Sequence, residues 1–198
     1  MIHQKKIEQF YKKRYLKLGK NIKSVGWNSK LNQNLRFKIL LKNINLNNKT
    51  ILDYGCGFSD LFLHLKKIKN IPKQYVGYDI TKEFIYLNRK KFKSNKYYYN
   101  ENFLNLFHFD FIICSGVFSF KTSTGKKYFR SKSLNLLKKS KKGLLINFLS
   151  INTKHKLKKN FYYNEKEILN FFGKIKKIKL NLIKSYGLNE FTLQVIKT

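Results

Sequence analysis

The sequence predicts an α/β fold: a seven-stranded, mostly parallel sheet that ends in an antiparallel hairpin. From about residue 50 onward, short runs of β-branched and aromatic residues alternate with amphipathic stretches of helix length, as is typical of a parallel sheet covered by helices. The last two runs alternate apolar and polar residues in part, as strands near an edge do, and a turn around Gly187 joins them.

Seven strands and four helices are predicted between residue 50 and the end of the chain. The strands are residues 50–54, 75–79, 96–99, 109–114, 143–149, 175–183 and 191–197. The helices are residues 59–68, 81–92, 124–139 and 164–172. Thr81, Thr124 and Asn164 stand at the starts of the last three helices, where short oxygen-bearing side chains cap the backbone.

Two further amphipathic helices are predicted before the first strand, over residues 3–18 and 29–42. No repeat or Pro/Ser-rich linker divides the chain, so we expect a single domain over 1–198. Within it, residues 1–45 would form an N-terminal helical cap and 46–198 the ligand-binding core. The cap contains Tyr11, Tyr15, Trp27 and Arg36, which either cover a pocket or pack against the core.

The chain is strongly basic, with 43 Lys and Arg against 10 Asp and Glu and a formal net charge of +33. Such a charge normally indicates nucleic acid or an anionic membrane surface. However, 39 of these residues are Lys and 4 are Arg, Ala is absent and Asn is abundant, so an AT-rich codon bias also explains the excess. Because proteins that read phosphates and bases usually use Arg forks as well as Lys, this composition weakens the nucleic-acid interpretation.

Cysteine, histidine and apolar patterns predict neither cross-links nor a membrane span. Cys56 and Cys114 lie far apart and have no CxxC or Cys/His spacing, so neither a disulfide framework nor a zinc site is expected. His64, His108 and His155 show no paired spacing, and we predict no metal site. The N-terminal segment is charged and no stretch of about 18 apolar residues occurs, which predicts a cytoplasmic location.

The most informative segment is the glycine-rich turn in ILDYGCGFSD, residues 51–60. Gly55 and Gly57 stand between a strand and a helix, where a missing side chain lets backbone approach a nucleotide-like cofactor; the alternative is a tight turn with no ligand. Asp79 ends the second strand 24 residues after Gly55, near the spacing of a carboxylate that holds ribose hydroxyls. The alternative for Asp79 is a helix N-cap for the segment that begins at Thr81.

This turn does not match a dinucleotide fingerprint. In GxGxxG the third glycine permits close packing of helix on strand, and Asp60 stands at that position. Asp53, two residues before the first glycine, would repel a pyrophosphate but can accept a hydrogen bond from an ammonium group. We therefore expect a nucleoside cofactor that carries an ammonium group and has no phosphate at this turn.

On these residues, the stretch from about 50 to 120 resembles the class I S-adenosylmethionine-dependent methyltransferases. The resemblance implies a Rossmann-like three-layer sandwich and S-adenosyl-L-methionine as cofactor. It also implies that Asp53 and the turn Gly55-Cys56-Gly57 surround the methionine part, with Asp79 on the ribose hydroxyls. Family members often have Gly where Ser59 stands, which affects the shape of the loop.

The resemblance extends to the adenine and the reacting methyl group. It implies that Ile80 lies against adenine and that Asn102 and Phe103 meet its edge, although family members often have Asp where Asn102 stands. Cys114 and Ser115, at the end of the fourth strand, would lie beside the methyl group. No residue is assigned as a catalytic base.

The acceptor is the least specified part of the prediction. The Asn/Asp-Pro-Pro-Tyr/Phe element of many amino-group methyltransferases is missing after the fourth strand, and residues 24–37, 144–150 and 189–197 are similar to a trans-aconitate-like group. We therefore expect an O, N or C nucleophile of a small molecule as acceptor. The alternatives are an RNA methyltransferase that uses the basic surface, and a non-catalytic protein whose pocket is filled by Phe58 or Phe118. The oligomeric state is left open, and a monomer is compatible with the sequence.

Overall fold

The computed structural model describes residues 2–198, with side chains from residue 4 onward, as six α-helices and seven strands. The helices are α1 (Ile2–Leu18), α2 (Lys30–Leu40), α3 (Asp60–Lys67), α4 (Lys82–Lys91), α5 (Gly125–Lys139) and α6 (Glu165–Gly173). The strands are β1 (Thr50–Tyr54), β2 (Gln74–Tyr78), β3 (Lys96–Tyr98), β4 (Phe109–Cys114), β5 (Ser140–Leu149), β6 (Ile178–Ile183) and β7 (Glu190–Lys197). Short 3₁₀ turns occupy Ile22–Val25, Glu101–Asn105 and Val117–Ser119.

All seven strands belong to one sheet, in the order β3-β2-β1-β4-β5-β7-β6. The first five strands are parallel, and β7 runs antiparallel to both β5 and β6. The predicted fold class is therefore confirmed. The strand order reverses between β1 and β4, and in such sheets the crevice beyond the carboxyl ends of the strands at this point is where ligands bind.

Two apolar cores lie on the two faces of the sheet, which makes the fold a three-layer sandwich. On one face Ile51 of β1 packs in a cluster with Leu61 of α3. On the other face its neighbour Leu52 packs in a cluster with Leu136 of α5. Because both faces are covered, the central strands are almost continuously apolar, and this is the pattern that predicted them.

The predicted boundaries of β1 and β4 agree with the structure, whereas β5 begins three residues earlier than predicted. Ser140 pairs with Phe109 across a register shift, so the exposed lysines that follow Ser140 belong to the strand rather than to a loop. β6 begins three residues later than predicted because Lys177 adopts a left-handed conformation, φ +57°, that interrupts the extended chain.

The three predicted helix caps behave differently. Asn164 caps α6, because its side chain accepts hydrogen bonds from the backbone N–H groups of Lys166 and Glu167 at 2.9 and 3.3 Å. Thr81 and Thr124 occupy the cap positions of α4 and α5, but neither side chain makes the capping hydrogen bond. Only the Asn164 cap is confirmed by its contacts.

Helix α1 packs over the carboxyl end of the sheet, whereas Phe37 and Leu40 of α2 belong to the core cluster on one face of the sheet. Tyr15 of α1 meets Phe84 edge-on at 5.8 Å between ring centroids, and Phe10 packs on Phe120 at 5.0 Å. Lys12 forms an ion pair with Glu83 of α4 at 3.0 Å. None of the helices in residues 2–198 is long and apolar enough to cross a lipid bilayer.

Candidate active site

The glycine turn after β1 is held tightly against its neighbours by the backbone. The N–H groups of Gly55 and Cys56 both donate to the carbonyl oxygen of Tyr78, at 2.7 and 2.8 Å. Gly55 and Gly57 have φ values of +84° and +51°, in the left-handed region that favours glycine. A Cβ on Gly55 would lie 2.5 Å from Cγ2 of Val117, so the turn has no room for a side chain there.

The turn continues into α3 through Ser59, which stands where family members often have glycine. Ser59 has φ +60°, the left-handed conformation that makes glycine common at such a position. Its N–H donates to the carbonyl of Cys56 at 2.8 Å, and the Asn88 side chain donates to the carbonyl of Gly57 at 2.7 Å. The serine therefore preserves the shape of the turn.

Asp79 follows β2 and connects the glycine turn to α4. Its Oδ2 accepts from the N–H of Gly57 at 2.9 Å, and its Oδ1 accepts from the N–H of Thr81 at 2.8 Å. Burial raises the pKa of Asp79, while the N–H groups of Thr81 and Gly57 oppose that rise. Asp79 thus anchors the start of α4, and each carboxylate oxygen retains a lone pair for a ligand.

Asp53 lies two residues before Gly55 and is 2% exposed. Its Oδ2 accepts a hydrogen bond from the hydroxyl of Tyr75 at 2.5 Å. Burial raises the pKa of Asp53 to about 7, the Tyr75 hydrogen bond opposes this rise, and the nearby charge of Asp79 adds to it. A cation beside Asp53 would favour its charged form, so the residue is suited to an ammonium group.

A cavity of about 540 Å³ opens above this turn, at the carboxyl end of the central strands. Seven of the ten predicted cofactor residues line it: Asp53, Gly55, Cys56, Gly57, Asp79, Ile80 and Ser115. Phe58 also lines the wall, but its ring packs against Phe84 at 4.6 Å, and Phe118 is buried in the core. The non-catalytic alternative requires a cavity filled by these side chains, and the cavity is open.

Asn102, Phe103 and Cys114 do not reach this cavity. Phe103 is buried in the core, where its ring stacks on Tyr98 at 4.4 Å. Asn102 is exposed in the 3₁₀ turn, and the side chain of Cys114 is fully buried in the core beneath β4. These three residues do not line the cavity, and their contact with the cofactor stays a prediction.

The N-terminal segment supplies a large part of the opposite wall. Tyr11, Trp27 and Arg36 line the cavity. Tyr15 does not line it and packs behind the wall, against the rings of Phe58 and Phe84. Burial, reinforced by the charge of Asp79, raises the pKa of Tyr11 to about 12. The Tyr11 hydroxyl is therefore protonated at neutral pH and can act as a hydrogen-bond donor.

This wall contains a buried ion pair that the sequence did not predict. Nε of Arg36 donates to Glu190 at 2.8 Å, Nη2 donates to the second carboxylate oxygen, and both side chains are 8% exposed. Asn147 donates to Glu190 at 3.3 Å and accepts from the N–H of Gly116 at 2.7 Å. The Trp27 ring covers the guanidinium at 3.7 Å. The one sequence feature that could have indicated this pair is the rarity of Arg and Glu in a chain rich in Lys.

A second unpredicted network closes the cavity near the start of α1. The hydroxyl of Tyr54 donates to the Glu101 carboxylate, Lys132 pairs with Glu101 at 2.6 Å, and the Gln4 amide lies 3.4 Å from the same carboxylate. The Tyr54 ring stacks on Tyr78 at 4.8 Å. Tyr54, Tyr78 and Gln4 line the cavity, so this network joins α1 to the cofactor side of the wall.

The polar groups of the cavity suit a ligand with a positive charge and hydroxyl groups. Two carboxylates, Asp53 and Asp79, flank the glycine turn, and the buried hydroxyl of Ser115 in the wall has no protein partner. Within the described part of the chain, no group of three His, Cys, Asp or Glu residues is placed to hold a metal ion. A nucleoside that carries an ammonium group fits this set of donors and acceptors.

Comparisons with known proteins agree with this geometry. A family model described as "Methyltransferase domain" matches residues 45–186, which is more than half of the chain. No curated protein sequence matched the chain. The match includes the glycine turn, Asp79 and Ser115.

Solved structures share the fold at low sequence identity. Magnesium protoporphyrin IX methyltransferase from Synechocystis PCC 6803, with bound SAH, gives a TM-score of 0.68 at 12% identity, over 98% of this chain and 99% of that chain. N-methyltransferase NodS from Bradyrhizobium japonicum WM9, in complex with S-adenosyl-L-homocysteine, gives a TM-score of 0.67 at 12% identity, over 96% of this chain and 97% of that chain. A chain of the Pnkp1/Rnl/Hen1 RNA repair complex gives a TM-score of 0.66 at 12% identity, over 83% of this chain and 41% of that chain.

The family match and the shared fold agree with the glycine turn, the two carboxylates and the open cavity. The chain belongs to the methyltransferase domain family and is a class I S-adenosylmethionine-dependent methyltransferase.

Proposed function

We propose that the chain transfers the methyl group of S-adenosylmethionine to an O, N or C nucleophile of a small-molecule acceptor. The observation that carries this proposal is the cavity of about 540 Å³, a size typical of small-molecule sites. Of the 43 Lys and Arg residues, all within the described part of the chain, only Arg14, Arg36 and Lys159 line it. The basic residues therefore do not converge on the site, as they would around a nucleic-acid substrate.

The cavity wall supports a specific placement of the cofactor. Asp53 would accept from the ammonium group, and the side-chain-free backbone at Gly55 and Gly57 would lie against the methionine part. The free lone pairs of Asp79 would accept from the ribose hydroxyls, and Ile80 would pack against adenine. Asp79 and the turn are already held by mutual hydrogen bonds, so little reorganisation is needed on binding.

Arg36 is the best-placed cation for the cofactor carboxylate. Glu190 fixes two of its nitrogens, while Nη1 lies so close to Gly116 that a Cβ there would be 2.9 Å away. The unpartnered hydroxyl of Ser115 lies next to Gly116 in the chain and offers a further hydrogen bond. The amino-acid end of the cofactor would then meet a carboxylate at one point and a guanidinium at another.

Bound S-adenosylmethionine supplies an electrophilic methyl group, so the protein has to align the acceptor and exclude water. Tyr11 and Trp27 cover the cavity and carry out part of that exclusion. Because Tyr11 stays protonated at neutral pH, it orients an acceptor as a hydrogen-bond donor and does not remove its proton. A carboxylate acceptor needs no base, whereas a hydroxyl acceptor needs a nearby group to take its proton.

RNA is a second candidate acceptor. The net charge of +33 favours it, because such a chain attracts phosphates at low salt. The similarity to a chain of an RNA repair complex points the same way. Binding to RNA would not by itself identify the acceptor, since a basic surface binds polyanions without specificity.

Calorimetry tests the cofactor placement. We expect S-adenosylhomocysteine to bind the wild type, and Asp79→Asn to weaken binding by about 1–3 kcal/mol because a charged acceptor of ribose hydrogen bonds is lost. Asp110→Asn is the matched control, since Asp110 also accepts from a backbone N–H, that of Thr50, but lies outside the cavity. A folded wild type that gives neither heat nor a thermal shift with this ligand would contradict the placement.

Turnover tests the acceptor class. The protein and labelled S-adenosylmethionine are incubated separately with a small-metabolite extract and with total RNA, and label is measured in each fraction. We expect the methyl group in the small-metabolite fraction. RNase-sensitive incorporation at one nucleotide, with none in the metabolites, would overturn the small-molecule proposal in favour of RNA.

A further inference from the structure

The charges in the cavity wall are unevenly compensated. Each of the four carboxylates that line it has a partner: Asp53 has Tyr75, Asp60 has Lys30 and Gln33, Asp79 has two backbone N–H groups, and Glu190 has Arg36. Arg14 and Lys159 also line the cavity, and no carboxylate among the described residues pairs with either. The wall therefore carries two cations with no protein anion.

These two cations flank one aromatic ring. Cζ of Arg14 lies 5.6 Å from the centroid of Phe10, and Nζ of Lys159 lies 5.7 Å from it. The ring also contacts Phe120 at 5.0 Å and Tyr11 at 5.2 Å between centroids. The result is a cluster of aromatic rings with two cations close to its central ring.

The Arg14 guanidinium is oriented rather than free to turn. Its Nε and Nη2 both donate to the carbonyl oxygen of Lys23. A guanidinium has five N–H donors, so this contact leaves donors available for a ligand. Because its orientation is set in advance, less side-chain entropy is lost when an anion binds.

The position of this surface assigns it to the acceptor rather than to the cofactor. Phe120 follows β4 and pairs with Asn160 in the loop after β5, and the N–H of Lys121 donates to the carbonyl of Lys159 at 2.8 Å. The glycine turn and Asp79 instead follow β1 and β2, on the other side of the point where the strand order reverses. The two halves of the cavity therefore have different chemistry.

We propose that the acceptor is a small molecule with a flat aromatic body and a carboxylate. The body would pack against Phe10 and Phe120, and the carboxylate would pair with Arg14 and Lys159. Flat apolar bodies suit aromatic walls, and a carboxylate matches the planar guanidinium fork. This inference rests on the small-molecule function proposed above and narrows it to one chemical class.

Calorimetry on the complex with S-adenosylhomocysteine tests this class, with 2-naphthoate as the probe. The neutral 2-naphthamide has the same shape without the charge, and cyclohexanecarboxylate has the charge without the flat body. We expect 2-naphthoate to bind at least about tenfold more tightly than either, because it alone combines a carboxylate for charge-assisted hydrogen bonds with a flat ring for packing. Similar affinities for 2-naphthoate and 2-naphthamide would overturn the inference.

Neutral substitutions identify the residues responsible. Arg14→Gln and Lys159→Gln should each remove most of the preference for 2-naphthoate over 2-naphthamide. Lys13→Gln and Lys158→Gln are matched controls, because each removes the same charge from the adjacent exposed residue, outside the cavity wall. Lys159 is exposed, so its variant keeps the test valid even if Arg14→Gln disturbs folding. A preference that survives Lys159→Gln, or that is lost equally in the controls, would contradict the assignment.

Binding of S-adenosylhomocysteine is measured first in every variant, and it separates the two proposals. If the wild type fails to bind it, the proposed cofactor site is wrong. If it binds but 2-naphthoate does not, only the acceptor class is wrong. A short single-stranded RNA that displaces 2-naphthoate, and whose own binding is lost in Arg14→Gln and Lys159→Gln, would assign the same surface to RNA and overturn the inference.

Discussion

The glycine turn and the wall opposite it are built in different ways. The glycine turn is one continuous segment, residues 51–60, to which Asp79 bonds directly. The opposite wall is assembled from α1, α2, the loops after β4 and β5, and the start of β7. A pocket can therefore combine a locally encoded binding turn with a wall whose parts are distant in sequence.

The forces that hold the turn and the wall also differ. The turn is fixed by backbone hydrogen bonds from Gly55 and Cys56 to Tyr78, and by a backbone conformation that glycine favours. The wall depends on side chains, above all on the Arg36–Glu190 ion pair, whose partners are 154 residues apart. Substitutions should show this difference. Stability lost at the ion pair should return when the partner charge is also removed, whereas stability lost in the turn should return only in part, when one steric contact is relieved.

The largest effect is expected at the buried ion pair. Arg36→Met should lower the free energy of unfolding by about 3–5 kcal/mol, because it leaves Glu190 buried without its counter-charge. Urea unfolding measures the change, and the fluorescence of Trp27, the single tryptophan of the chain, reports on this wall.

The double variant Arg36→Met/Glu190→Leu is the matched control for that prediction. Replacing both members of a buried pair by apolar side chains is often close to neutral, so we expect most of the lost stability to return. If the double variant were no more stable than Arg36→Met, the loss would come from packing against Trp27 rather than from the unpaired charge.

The next effect is expected in the glycine turn. Gly55→Ala should lower the free energy of unfolding by about 3 kcal/mol. About 1–2 kcal/mol of this comes from the left-handed conformation of alanine, and the rest comes from the steric contact with Val117. Gly19→Ala is the matched control, because Gly19 also has a positive φ, +62°, but a Cβ there would meet nothing within 4 Å.

Thermal and urea unfolding of both glycine variants separate the two contributions. Gly19→Ala should lose only the backbone part, and adding Val117→Ala to Gly55→Ala should recover the steric part. Equal losses in the two single variants would show that the approach of Val117 does not constrain the turn.

The outcome of the sequence predictions follows the same division. The strands at 50–54 and 109–114 were predicted correctly because a strand buried on both faces is an apolar run with clear limits. The glycine turn stands out in the sequence because two glycines between a strand and a helix form a local pattern, and Asp79 stands out because it ends the next strand. The early start of β5 was missed because a pair of exposed lysines resembles a loop.

Side-chain direction and long-range pairing account for most of what the sequence did not reveal in the site. Cys114 ends a strand that leads to the cavity, but the alternation of the pleat turns its side chain into the core. Phe103 stacks on Tyr98, a contact that depends on the shape of a 3₁₀ turn. Arg36 and Glu190 meet only through the folded sheet, and no local pattern connects residues so far apart.

An effect on stability that depends on pH is expected at Asp53. Because its pKa is about 7 in the folded chain, against about 3.9 in an unfolded one, the folded state retains a proton between about pH 4 and 7 that the unfolded state has released. Stability therefore falls as pH rises through that window and stays lower above it. Asp53→Asn is neutral at every pH, so we expect its Tm to exceed that of the wild type at pH 8 and to equal it at pH 4.

Cofactor binding should respond to Asp53 in the opposite direction. An ammonium group pairs with the ionised carboxylate, so binding of S-adenosylhomocysteine to the wild type should strengthen from pH 6 to pH 8, with loss of a proton to the buffer near pH 6. Calorimetry in two buffers of different ionisation enthalpy detects that proton. Asp53→Asn should bind about tenfold more weakly at pH 8 and lose the pH dependence, because the amide still accepts from Tyr75 but carries no charge. A variant that gained stability at pH 8 and kept wild-type affinity would show that the ammonium group is bound elsewhere, and the charge of Asp53 would then have no part in holding the cofactor.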